Sequence, residues 1–149
     1  MRGTGTLVLL GVAFAAAPCA LADLAKARAE QNLERRSKLA LENATAELQA
    51  AREAYRNGDS AKVAADVAEV GESVELAYQS LKQTNKDPRR SPKWFKYAEI
   101  STRDLLRKLD TFQDDMSFND RAGLDPVKTR IQQVHDDLLE GLMEGRKHK

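Results

Sequence analysis

The sequence predicts an all-α protein, an up-down-up-down antiparallel four-helix bundle with an extended first helix. Three observations predict it. Four stretches repeat apolar residues in steps of three and four, the spacing that puts them on one helix face. Compact stop and start signals separate the stretches, and short connections make successive helices antiparallel. No convincing run of period two competes for strands.

At 149 residues the chain fits one domain, but its first residues read as a leader. Met1 and Arg2 give a positive start. Leu7 to Ala17 is an apolar run, and Ala20, Leu21 and Ala22 form the A-x-A pattern that signal peptidase cuts after. Residues 1–22 are therefore expected to be a secretory signal peptide, residues 23–145 the helical bundle, and residues 146–149 a basic tail. The apolar run is shorter than the roughly 20 residues a membrane-spanning helix needs. Cys19, the sole cysteine, would leave with the leader. A competing reading makes Cys19 a lipid-bearing first residue, but that chemistry wants a small residue where Pro18 stands. The expected destination is outside the cytoplasm, periplasmic or secreted. Without disulfides the core must hold the fold by itself.

From Asp23 to Asn57 there is neither Pro nor Gly, and good helix formers dominate. Leu41, Ala44, Leu48, Ala51 and Tyr55 form the first stripe. Before Ser37 the stripe is thin, so a break near Ser37 is considered. The segment from Asp23 to Arg36 is expected to overhang, fold back or pair with a second copy of the chain. Asn57 and Gly58 stop this helix, and Asp59 or Ser60 caps the next. The second stripe is Val63, Val67, Val70, Val74, Ala77 and Leu81, with Gly71 marking a close helix approach. Asp66, Glu69, Glu72 and Glu75 step by threes and read as a solvated face.

Residues 84–90 are a loop. Ser91 and Pro92 restart the helix as cap and first residue. The third stripe is Trp94, Ala98, Ser101 or Thr102, Leu105, Leu109, Phe112 and Met116, widened by Phe95 and Leu106. Residues 117–124 form a connector in which a short turn would hold Phe118 against the bundle. Asp125 and Pro126 repeat the cap-and-proline device. Val127, Ile131, Val134 and Leu138 form the fourth stripe, with Leu139, Leu142 and Met143 beyond.

The chemistry available to such a chain is narrow. His135 and His148 are the two histidines, and no Cys-x-x-Cys-His exists for haem attachment. His135 sits at the edge of its stripe and reads as a solvated or capping residue. There is no Glu-x-x-His for a di-iron site, no thiol in the domain, no Gly-x-Ser-x-Gly elbow and no glycine-rich phosphate loop. No catalytic residue, cofactor or metal is expected, and the chain is not expected to be an enzyme.

The 24 Lys and Arg nearly balance the 23 Asp and Glu. That excludes a general nucleic-acid binder, which carries a basic excess. Topology sharpens the balance into two poles. In an up-down bundle the loop after the second helix lies at the end that also holds both chain termini. It brings Lys86, Arg89, Arg90, Lys93 and Lys96 together with Trp94, Phe95, Tyr97 and the tail. The other end would collect Asp59, Asp114, Asp115, Asp120 and Asp125. The candidate binding surface is Arg89, Arg90, Lys93, Trp94, Lys96 and Tyr97, since basic residues among aromatics take anionic lipid or polysaccharide.

The leader, the charge-rich neutral helices and the stretch from Asp87 to Leu106 (DPRRSPKWFKYAEISTRDLL) together resemble a group of small secreted bacterial all-helical proteins of unknown function. The resemblance implies secretion and a helical fold. It implies no activity, cofactor or site residue. The leading functional expectation is an exported non-enzymatic scaffold or interaction module with a protein partner in the cell envelope. The alternative is an anionic-surface binder using the basic pole.

Overall fold

In a computed structural model, residues 21–144 are described, and they are all-helical. Five α-helices follow in order: α1 (Leu21–Ala29), α2 (Leu33–Arg56), α3 (Ser60–Gln83), α4 (Pro92–Asp115) and α5 (Asp125–Glu144). One 3-10 turn, Arg121–Leu124, precedes α5. No described residue is in a strand. The expected leader, apart from Leu21 and Ala22, lies outside the described residues, as do Cys19 and the tail.

The expected extended first helix is two helices. The chain breaks at residues 30–32, not near Ser37, because Asn32 supplies the better cap. Its side-chain oxygen accepts from the Arg35 backbone N–H at 2.9 Å. The Arg36 Nε donates to the Glu30 carbonyl at 2.7 Å, closing the corner. α1 then folds back along α2 and buries Leu24 and Ala27. Leu24 and Ala27 are thus covered within the chain, while Ala25 and Ala29 stay exposed.

α2 and α3 form a tight hairpin. Gly58 takes a left-handed φ of +73°, and the Asp59 N–H reaches the Ala54 carbonyl at 2.9 Å. That conformation suits glycine because it has no Cβ. The Asp59 carboxylate then caps α3 through the Lys62 N–H at 3.0 Å. α4 and α5 form the second hairpin. α2 also packs on α4 and α3 on α5, both more extensively than α3 packs on α4.

The four stripes meet in one core that includes Leu41, Leu48, Val70, Val74, Leu105, Leu109, Phe112, Ile131 and Val134. Several residues depart from the expected packing. Phe95 takes the buried place at the start of α4, and Trp94 is half-buried. Ser91 makes no side-chain cap bond; Pro92 at the first turn and the Asp87 carbonyl, which accepts from Arg90 and Ser91, set that helix start instead. Phe118 does not pack against the bundle: it is 86% exposed, and Leu124 closes the core in its place. Gly71 faces Val127 with ordinary room for a methyl group, so no close approach requires it there. The close approach is at Gly141, where an added Cβ would lie 3.3 Å from Pro88.

The acidic steps of α3 are a solvated face only in part: Glu72 is exposed and Glu69 and Glu75 half-buried, but Asp66 is buried. A step of three residues turns a helix position back by about 60°, so the four carboxylates point in successive directions. Asp66 is 4% exposed and holds the Lys62 ammonium at 2.9 Å. Glu69 accepts from Asn43 of α2 at 3.0 Å. Glu72 pairs with Arg28 of α1 at 2.9 Å. Glu75 accepts from Arg130 Nε of α5 at 2.8 Å. Burial pushes the Glu75 carboxyl up, but hydrogen bonds from Gln79 and Arg130 outweigh it and hold the group below its usual range.

Leu109→Ala should lower the unfolding free energy by about 2–5 kcal/mol, the cost of a buried leucine cavity. Phe118→Ser should change it by less than about 0.5 kcal/mol, as an exposed site does. Urea titrations followed by circular dichroism check both, and equal losses would contradict the packing described.

Candidate functional site

The sequence-predicted surface is brought together only in part. Arg89, Arg90 and Lys96 are exposed and form no ion pair among the described residues. Lys93 lies over the Trp94 ring at 4.8 Å, and Trp94 meets Tyr97 edge-on at 6.1 Å between centroids. Trp94 and Tyr97 are half-buried against the core, so their rings serve packing as well as surface. Lys86 is not free: it pairs with Glu34 at 2.6 Å. The same end also holds acids that topology alone did not place. A cavity of roughly 340 Å³ there is lined by Lys82, Lys86, Pro88, Phe95 and Gly141 together with Asp137 of α5. Asp137 accepts from the Tyr78 hydroxyl at 2.8 Å. Burial, then this bond, pushes the Tyr78 phenol up to about 12. Glu140 and Glu144 follow on α5 and dilute the basic character further.

His135 is neither solvated nor a cap. Its side chain is 13% exposed and its Nδ1 lies 3.3 Å from Thr102 Oγ1 and 3.8 Å from a Glu99 oxygen. The Thr102 hydroxyl is also within hydrogen-bond reach of the Ala98 and Glu99 carbonyls, both at 2.9 Å. The three side chains have the composition of a nucleophile, a base and an orienting acid. Thr102 is 1% exposed, however, and its hydroxyl cannot meet a substrate. The cluster is a polar clasp between α4 and α5. Among the described residues no three His, Cys, Asp or Glu could hold a metal ion together. No described helix is long and apolar enough to cross a membrane.

The larger of these two concavities lies at the other end, where the sequence pattern placed a group of aspartates. α3 has 24 residues and α5 has 20. Gly71 stands opposite Val127, near the start of α5. Toward its N-terminus α3 runs on for about eleven residues, or about 16 Å, without an α5 turn beside it. The 3-10 turn and connector stand there instead and leave an open groove of roughly 570 Å³. Val63, Val67, Met116, Leu124 and Val127 give it apolar walls, and Ala64, Ala68 and Gly71 keep the α3 side low. Tyr55, Glu72, Asp120 and Arg130 stand among its polar lining.

The connector beside this groove is pinned. The Tyr55 hydroxyl donates to Asp120 at 3.0 Å and accepts from the Ser117 N–H at 2.8 Å. Ser117 Oγ donates to the same Asp120 carboxylate at 2.6 Å, and Arg121 Nε donates to the Met116 carbonyl at 3.2 Å. Phe118 is held out to solvent from within this network. The comparisons with known proteins add no analogy: no protein-family model matches the chain, and no curated protein matches it.

Hydrogen bonds from Ser117 and then Tyr55 hold the Asp120 carboxyl below the ordinary aspartate value of 3.8. A group lowered on folding keeps its bonds above the unfolded value and loses them as pH falls through the folded one. The NMR amide signals of Ser117 and Phe118 should therefore hold from pH 7 to about pH 4 and move only below it. Movement centred above that point would contradict the pinned connector.

Proposed function

We propose that this chain is an exported, non-enzymatic helical module that docks a protein partner in the cell envelope through the groove beside α3. In this reading residues 1–22 are a leader that is removed. α2 to α5 form the up-down-up-down four-helix bundle, and its last helix is too short to cover the first half of α3. The observation that carries the reading is the groove itself. It is apolar, open and walled on one side by alanines, the kind of concavity that accepts a partner's helix or large side chains. The Thr102, His135 and Glu99 clasp supports a binding role over a catalytic one, because its hydroxyl is closed to substrate.

A second reading rests on a separate observation. Arg89, Arg90 and Lys96 are exposed cations without ion pairs among the described residues, and Lys93 adds its charge over Trp94. They suit an anionic lipid or polysaccharide surface, with the tail contributing. Asp137, Glu140 and Glu144 at the same end weaken that attraction, which places this reading second.

A photo-crosslinking side chain placed at Ala68 should give a discrete protein adduct in the producing cells. The same group at exposed Thr111 should give none. No adduct at Ala68, together with salt-sensitive binding to anionic vesicles that Arg89→Ala with Arg90→Ala abolishes, would replace the groove reading with the surface one.

A further inference from the structure

We infer that two copies of this chain exchange α1. The corner at residues 30–32 straightens, α1 and α2 run on as one helix, and each α1 docks on the other copy's α2. The exchange is independent of the groove and takes place at the other end of the molecule.

The corner has a sequence that suits a continuous helix as well as a bend. It consists of Glu30, Gln31 and Asn32, and neither Pro nor Gly occurs from Asp23 to Asn57. Glu and Gln are good helix formers. Side chains hold the bend. Asn32 accepts from the Arg35 N–H at 2.9 Å, and the Glu30 carboxylate accepts from the Asn32 N–H at 3.0 Å. The same carboxylate lies 3.3 Å from Arg35, and Arg36 donates to the Glu30 carbonyl at 2.7 Å. A straight helix gives up these bonds and gains the backbone bonds that the bend interrupts.

The docking that keeps α1 folded back is slight. α1 has nine residues, too few for a helix that persists alone. It buries Leu24 and Ala27. Its ion pair to α3, Arg28 with Glu72, leaves 58% and 59% of the two side chains exposed, and pairs that open to water add little. Release of α1 is therefore a local opening that leaves the four longer helices packed on one another.

The site that α1 vacates is defined by its present occupant. Lys26 lies beside Leu39, Glu42, Asn43 and Ala46 of α2 around a small cavity, and Arg28 reaches Glu72 of α3. Asn43 is 3% exposed. Its amide N–H groups serve Glu69 and Ser73, while its side-chain oxygen has no hydrogen-bond partner among the described residues. Water reaching that oxygen offsets part of the cost of release. A second copy brings the same Leu24, Ala27 and Arg28, so the contacts are remade without any new complementarity. Because α1 folds back along α2, two straightened helices lying antiparallel about a two-fold axis near the hinge repeat the same pairing. The groove beside α3 lies at the opposite end and stays open in both copies. The exchanged dimer is thus bivalent, which strengthens its hold on a partner that carries two docking segments.

The test uses the full chain in a Cys19→Ser background, which leaves no thiol whether or not the leader is removed. In analytical ultracentrifugation it should be a monomer at about 10 μM and partly a dimer at about 1 mM, as mass action requires. Arg28→Cys with Glu72→Cys puts one thiol on α1 and one at its docking site. A short bismaleimide should join the two within one chain in the monomer fraction and between two chains in the dimer fraction. Asn32→Ala removes the cap of the bend and should raise the association constant about tenfold or more. Gln31→Pro breaks a continuous helix and should abolish the dimer with the circular dichroism spectrum unchanged. A monomer at every concentration, in Asn32→Ala as in the parent, would overturn the inference. A dimer crosslinked only within its chains would be a side-by-side contact and would overturn it too. So would a dimer that survives Gln31→Pro.

Discussion

The carboxylates on successive turns of α3 organise this molecule. Because they step by three, each points about 60° from the last, and each meets a different neighbour. Asp66 stays on α3 and neutralises Lys62. Glu69 ties α2, Glu72 ties α1 and Glu75 ties α5. The apolar stripe of the same helix faces the core. α3 is therefore tied by polar bonds to α2, α1 and α5. Partly exposed pairs of this kind contribute only about 0–1 kcal/mol each. The stability comes from the buried leucines, valines and aromatics that these ties align.

α2, α3 and α4 have 24 residues each, and α5 has 20. α2 matches α3 residue for residue because a tight glycine turn joins them. α5 cannot match it, because part of the chain before α5 is spent on the connector and the 3-10 turn. The mismatch leaves the first turns of α3 facing solvent on one side. Those turns carry Ala61, Ala64, Ala65 and Ala68 at exposed positions, small enough that the uncovered apolar area stays modest. Leu124 and Met116 seal the core beneath. The groove and the basic end are thus opposite consequences of one topology, and the acids of α5 make the groove the better-defined surface of the two.

Much of the fold could be read from the sequence because local signals decide it. The stripes from Leu41 to Leu48, from Val67 to Leu81 and from Leu105 to Phe112 are buried as their spacing requires. Gly58 and Pro92 mark real helix ends. What could not be read depends on distant partners. Asp66 looks solvated until Lys62 and the packing of α2 are placed beside it. His135 looks like an edge residue until Thr102 faces it from α4. Phe118 has the hydrophobicity of a core residue, but its loop bonds to Tyr55 and turns it outward. The break before α2 falls at residues 30–32 and not near Ser37, because the Asn32 cap and the Arg36 bond to the Glu30 carbonyl close a corner there. The surface residues Arg89, Arg90 and Lys96 stand exposed where the loop puts them, whereas the groove went unseen. Its sequence signal was the shorter reach of the fourth stripe compared with the second.

The central claim is that the α3 groove is open surface and not a packed part of the core. Filling it measures this directly, in an unfolding titration of Ala64→Leu with Ala68→Leu. An open groove accepts both side chains, and stability should stay within about 0.5 kcal/mol of the parent or rise. A loss of more than about 1 kcal/mol, the usual result of overpacking, would mean that part of the chain already fills the site, and would contradict the account.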